Sequence, residues 1–293
     1  REGTLGSGMI VHPTYALLAR ATPKPLRGVA HRILHHRLGP GFALDLQAFR
    51  DRRVLIVGPA RTVEDDLAEL GCAGFDTVVR MNNGLDTPIA AVPGHPYRCD
   101  VLFHCLTAET RPVAPENLRR AGVRLIVHRL PTRGDFLRTV AFAGDLPPAT
   151  DLRIAPLDHH RALCRRLGGF APTTGLVCAS LLLASPAQAV GIVGFTFFTT
   201  RYVPDYDARD RTDAETRQRV RARGHHSPER EARLLMQLVD EARARGMEVM
   251  LGPGILAAAA RVGEALSGCN GDPAALPLGG TDRHAGTGNG RRP

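Results

Sequence analysis

An α/β fold built on a mostly parallel sheet is what this sequence predicts, on three observations. Short apolar runs of the buried-strand kind recur at 54–57, 77–80, 100–103, 124–127, 190–195 and 248–251. Helical apolar spacing intervenes between several of them, and strands alternating with helices build a parallel sheet through crossover connections. Polar residues gather where the runs end, Asn82, His104 and His128 among them. In open α/β sheets a ligand sits outside the carboxyl ends of the strands.

Taken in order, residues 1–8 (REGTLGSG) read as an expression scar outside the fold, and residues 9–50 as a helical or irregular approach broken by Pro23, Pro25 and Pro40. Within that approach Arg27 to Arg37, with His31, His35 and His36 around Val29, Ile33 and Leu34, has the pattern of a basic amphipathic helix. Such a helix is either a solvated face or one that docks on an anionic membrane or acceptor. The first strand ends at Gly58-Pro59. Thr62 followed by Asp65 is then a capping-box pattern, and Val63, Leu67 and Leu70 form an apolar helix face that Gly71 stops.

The second strand delivers Asn82 and Asn83, and the third and fourth end at His104 and His128. A Pro- and Gly-rich loop is expected over about 131–150. Pro172-Thr173-Thr174-Gly175 opens a helix through Leu176 to Leu183, ahead of the 190–195 strand. Residues 199–225 are polar, charged and too long for a turn, which predicts a lid. Ser227 as N-cap and Pro228 at the first helical position start a helix whose apolar face is Leu234, Leu235, Leu238 and Val239. Residues 51–270 are expected to form one domain, and the Gly/Pro-rich 271–293 a disordered tail.

The formal net charge of +9 raises the question of nucleic acid. However, the basic residues are nearly all Arg, with Lys24 the single lysine, and they are spread along the chain without an RNP, KH or zinc-finger pattern. No nucleic-acid partner is expected. No apolar run reaches the ~20 residues of a membrane span. The six cysteines (Cys72, Cys99, Cys105, Cys164, Cys178 and Cys269) stand singly, the usage of reduced thiols in a cytoplasm. A cytoplasmic protein is expected, peripheral to the inner membrane face if the basic helix docks.

Gly58-Pro59-Ala60-Arg61-Thr62 is not G-x-G-x-x-G, so the Rossmann-like alternation comes without the dinucleotide fingerprint. Asp205-Tyr206-Asp207 is a D-x-D, but it lies in a polar segment rather than directly behind an apolar strand, and no metal site is expected from it.

Two helix starts carry the candidate chemistry. Thr173, Thr174 and Gly175 place two hydroxyls and an unhindered backbone N–H at an N-terminus, which attracts an anion. His226 lies just outside another, where the positive end of the helix dipole disfavours an added proton. A neutral imidazole there is a candidate general base, with His225 as a flanking residue.

In combination the segments resemble a known family. Val57-Gly58-Pro59-Ala60, Phe75 to Asn82, Pro172 to Leu176, Val193-Gly194-Phe195, and His226-Ser227 with Glu231 fall in the order of the motifs of sialyltransferases. The order and lengths resemble the bacterial CMP-sialic-acid-dependent enzymes most, with the large, small and very small motifs of the animal enzymes also echoed. The likeness runs from about 54 to 260.

It implies a single GT-A-type domain that moves a sialic or related ulosonic acid from CMP to an acceptor hydroxyl, inverting, metal-independent and without a cofactor beyond the CMP-sugar itself. By family position Asn82 and Asn83 hold the nucleotide, with Gly58 and His104 on the same donor edge. Thr173, Thr174 and Gly175 bind ribose, phosphate or the sugar carboxylate. His226 is the base, and Tyr202 and Tyr206 hydrogen-bond the departing phosphate. The chain departs from the family at Pro59 and Ala60, where the bacterial enzymes have an Asn, at Phe198, which lacks a hydroxyl, and at Phe103-His104-Cys105. These departures bear on the donor, for which CMP-Kdo or another CMP-nonulosonate is an alternative. A non-catalytic relative that binds CMP or acidic glycans is the alternative of a different class.

Overall fold

The computed structural model describes residues 11–107, 110–129, 136–207, 209 and 211–267. Strands β1 (Arg53–Val57), β2 (Thr77–Met81), β3 (Val101–His104), β4 (Leu125–His128), β5 (Asp151–Ile154), β6 (Ala189–Val193) and β7 (Glu248–Leu251) form one sheet. Its order is β5-β4-β3-β2-β1-β6-β7, with every adjacent pair parallel. β1 is central, Val54 standing in register with Thr77 of β2 on one side and Val190 of β6 on the other. Val, Ile and Leu dominate these strands because a parallel sheet is buried on both faces. From β1 the chain walks out to β5 and then returns to β6 across β1. That reversal opens a crevice at the carboxyl edge of the sheet, as in doubly wound Rossmann-like folds.

The helices are α1 (Pro13–Ala21), α2 (Arg27–Leu38), α3 (Val63–Leu70), α4 (Pro115–Ala121), α5 (Phe136–Ala143), α6 (Leu157–Arg166), α7 (Thr174–Leu183), α8 (Asp213–Arg223), α9 (Pro228–Ala244) and α10 (Pro253–Ser267). Alternate residues of β1 feed two cores. Val54 and Ile56 join α7, α9 and α10, whereas Leu55 and Val57 join Val63 and Leu67 of α3. All ten residues of α7 are buried, as expected of a helix apolar on every side. Each large side chain buried there contributes roughly 1.5–3 kcal/mol.

Several expectations are corrected. Thr62 does not cap α3 through its side chain; its backbone is helical and its hydroxyl turns to Asp66, 3.4 Å away. The fully buried Asp66 carboxylate accepts instead from Gly194 N at 2.8 Å and Gly254 N at 2.7 Å, tying the end of β6 and the start of α10 to α3. A buried anion holding two otherwise unpaired amides outweighs an exposed cap. Part of the expected 131–150 loop is α5, whose Phe136, Leu137 and Val140 enter the core; Leu130 to Asp135 lie outside the described residues. The polar 199–225 segment contains α8, closed by a capping box between Thr212 and Glu215. β5 was not expected, because Asp151 and Arg153 hide it; they pair with each other at 2.7 Å and so bring charge into an edge strand. Residues 1–8 and the 271–293 tail lie outside the described residues, as does Cys269, while the other five cysteines are free thiols. No helix among the described residues is long and apolar enough to cross a membrane.

Candidate functional site

The carboxyl edge of the sheet encloses a cavity of about 490 Å³, walled by the loops after β1, β2, β3 and β6, Arg129 beyond β4, and parts of α6, α7, α8 and α9. At the end of β2, Asn82 adopts a left-handed backbone (φ 48°), which Asn tolerates better than most residues. Its Oδ1 accepts from Cys105 N at 3.1 Å, and its side chain stands beside the phenol of Tyr206 and favours the ionised phenol. Asn83 accepts from Arg111 N at 2.9 Å and donates to Tyr206 O at 3.0 Å. The two amides therefore stitch the β2 loop to the β3 loop and to the 199–225 segment.

The β2 loop itself is built on Arg80. This fully buried side chain donates to the carbonyls of Gly84, Thr87 and Pro96 at 3.0, 2.6 and 2.7 Å.

At the N-terminus of α7, Thr173 is the cap and accepts from Leu176 N at 3.1 Å. Its own N–H and hydroxyl donate to the two oxygens of Glu231, at 2.8 and 2.7 Å. Glu231, in the first turn of α9, is buried. Burial pushes its carboxyl up to about 7, against the two Thr173 hydrogen bonds and the charge of Arg129. A carboxyl so placed changes charge close to neutral pH.

His226 stands just before the Ser227 cap and Pro228 of α9, as the sequence indicates. Its Nδ1 lies 2.7 Å from Ala171 O, while Ala171 N donates to His225 O at 3.0 Å. A carbonyl oxygen only accepts, so Nδ1 carries the proton and, in the neutral ring, Nε2 is left as an acceptor. Burial is the main cause holding the ring below its ordinary 6.5; the Ala171 hydrogen bond opposes this, and Arg129, His225 and Arg223 reinforce it. Neutrality thus arises chiefly from desolvation and neighbouring cations rather than from the helix dipole alone. Glu231 Oε1 is 3.7 Å from Nδ1.

Across the cavity Phe198 stacks on His226 with ring centres 6.3 Å apart and planes at 19°. Tyr202 and Tyr206 follow, 4.9 Å from one another, and burial raises both phenols far above their usual range. The segment is anchored by main-chain pairing, Val203 N donating to Pro59 O at 2.9 Å and Ala60 bridging Tyr202. The cavity wall carries four guanidinium groups, Arg129, Arg209, Arg219 and Arg223, against two carboxylates, Asp207 and Glu231. Asp207 is bonded to Arg209 at 2.6–3.0 Å. An anion fits such a surface.

Asn82, Asn83, Thr173, Thr174, Gly175, Tyr202, Tyr206 and His226 therefore meet at one cavity. Gly58 and His104 do not line it. Gly58 is needed where β1 and β6 end, since a Cβ there would strike the carbonyl of Gly194. His104 is buried, with Nδ1 accepting from Leu106 N at 2.9 Å, and burial lowers it to about 4. Both act on the shape of the edge rather than on its lining. Sequence reading did not find Arg129 or His160 of α6, and it took Glu231 only as part of a motif. His160 is buried, and its Nδ1 has no hydrogen-bond partner among the described residues. The one local signal was Arg129 directly behind the fourth apolar run.

No protein-family model and no curated protein sequence matches this chain. Among solved structures it is similar to a mammalian sialyltransferase in complex with Gal-β-1,3-GalNAc-ortho-nitrophenol, with 16% identity and a TM-score of 0.47 over 81% of this chain and 84% of that one. It is also similar to the sialyltransferase CstII from Campylobacter jejuni in complex with the substrate analogue CMP-3FNeuAc, with 14% identity and a TM-score of 0.43 over 68% of this chain and 80% of that one.

Proposed function

We propose that the cavity takes a CMP-activated ulosonic acid, a sialic acid or close relative, and that the protein is a GT-A-type, sialyltransferase-like glycosyltransferase. The observation that carries this reading is the state of His226: its Nδ1 proton is fixed on Ala171, the ring is biased towards neutrality, and it lines the same cavity as the α7 N-terminus. The order of the sequence motifs supplies the roles.

In the reaction the acceptor oxygen bonds to the anomeric carbon as the bond from that carbon to the phosphate oxygen breaks. The electron pair leaves with CMP, and the acceptor proton passes to Nε2 of His226. Attack opposite the leaving group inverts the centre. General-base help of this kind is worth ~10²–10⁴-fold. Asn82 and Asn83 hold the nucleotide, and Thr173, Thr174 and Gly175 meet its ribose, phosphate or the sugar carboxylate. Tyr202 and Tyr206, kept protonated by burial, donate to the phosphate as charge grows there, a donor of this kind contributing ~3 kcal/mol. The anionic charge is balanced by the guanidinium groups of the wall, which makes the reading a metal-independent one. Glu231 acts through His226 and Thr173 as a positioning residue.

A CMP-Kdo or other CMP-nonulosonate donor is the second reading. It is supported by the β1 loop, where Pro59 and Ala60 stand in place of the Asn that the resemblance implies. The test is CMP release from a panel of CMP-ulosonic acids, with CMP affinity measured by calorimetry. Release from one donor supports the transferase and names its sugar. CMP binding without release from any donor leaves a nucleotide-binding relative, and the absence of CMP binding removes the proposal.

A further inference from the structure

Six large hydrophobic side chains are exposed among the described residues, and five of them, Leu17, Leu18, Leu26, Val29 and Ile33, fall within the α1–α2 unit. The exposure is substantial, 65% for Leu17, 57% for Leu26 and 52% for Ile33. α2 turns Ala30 and Leu34 inward, so Leu26, Val29 and Ile33 follow one another at helical spacing on its outer side. Arg32, His36 and Arg37 flank that row and are exposed. There is no Asp or Glu between residues 11 and 44, whereas Arg20, Lys24, Arg27, Arg32 and Arg37 all lie there. Arg20 is committed to Asp145 and the Ala141 carbonyl; Lys24, Arg32 and Arg37 have no ion-pair partner among the described residues.

We propose that the outer face of α1 and α2 docks on an anionic lipid surface. Aliphatic side chains interleaved with long cationic ones, in a stretch that contains no Asp or Glu of its own, match an interface in which apolar groups enter the acyl boundary and cations meet headgroups. Charge complementarity selects the lipid surface over a second copy of this chain, which would set cations against cations. This proposal stands apart from the transferase reading and makes no use of the cavity.

The full chain is tested by flotation with vesicles of phosphatidylcholine alone and of phosphatidylcholine mixed with phosphatidylglycerol, at low and high salt. Three variants accompany it: the single substitution Ile33→Glu, the pair Val29→Glu with Ile33→Glu, and the triple Lys24→Gln, Arg32→Gln, Arg37→Gln. The substituted side chains are solvent-exposed, so thermal melting should stay at the wild-type temperature. Binding to the anionic vesicles only, weakened by salt, lost in the glutamate variants and weaker on the order of a hundredfold in the triple variant, supports docking. The proposal is overturned by no partition onto anionic vesicles, by equal partition of all variants, or by self-association in sedimentation that the glutamate variants abolish.

Discussion

The Ala171 carbonyl fixes the tautomer of His226, sitting 2.7 Å from Nδ1. Burial disfavours a protonated ring, and so do the neighbouring Arg129, His225 and Arg223. The acid limb of CMP release should therefore have its midpoint below 6.5, the ordinary value for histidine, with more than half of the full activity retained at pH 6.5. A pH–rate profile with the limb above that value would contradict the neutral base.

Glu231 couples stability to pH in the opposite sense. Its folded value of about 7 lies above the ordinary 4.5, so between the two the native state holds a proton that the unfolded chain has lost. The stabilisation is complete below pH 4.5 and is lost as pH rises through 7, by roughly 3 kcal/mol. Glu231→Gln cannot ionise, and the difference between its unfolding free energy and that of wild type, measured in denaturant across this range, should move by that amount. A constant difference would show that Glu231 does not titrate there.

The phenols should act on rate more than on binding. Tyr202→Phe is expected to slow CMP release by ~10²-fold, the effect of removing one preorganised donor, while changing the affinity for CMP only a few-fold. Tyr206→Phe additionally removes the hydroxyl beside Asn82 and should weaken CMP affinity as well. Stopped-flow release and calorimetry separate the two, and equal losses in both variants would argue against distinct roles.

Arg80 is expected to be a stability residue. Arg80→Met takes the guanidinium from the carbonyls of Gly84, Thr87 and Pro96; Gly84 and Pro96 keep the amides of Thr87 and Ile89 as donors, so the loss falls on the Thr87 carbonyl and should cost roughly 1–3 kcal/mol, the cost of one buried unsatisfied group. For a domain of this size that is a fall of roughly 2–12 °C in melting temperature. An unchanged melting curve would mean the loop closes without the guanidinium.

Central strands were legible because Val and Ile runs such as 54–57 have no other economical place in a soluble fold. β5 was not, since Asp151 and Arg153 satisfy one another only once folded. The Thr62 and Asp65 pattern misled for a related reason: Asp66, one residue on, finds Gly194 and Gly254 far away in the chain. In the site, the local caps at Thr173 and Ser227 could be read directly. Which of the polar residues at strand ends face the cavity could not, and His104 and Gly58 turn to packing instead. Glu231 reads as an ordinary acid in the first turn of a helix until the fold brings it to Thr173, 58 positions earlier.

The central claim is that His226 is the base of a CMP-sugar site. The direct measurement compares CMP release by wild type, His226→Ala and His226→Asn, the last retaining an amide donor for the Ala171 carbonyl, with CMP affinity determined for each. Release should fall ~10²–10⁴-fold in both variants while CMP still binds within a few-fold of wild type. Equal release by all three proteins would contradict the assignment of His226 as the base.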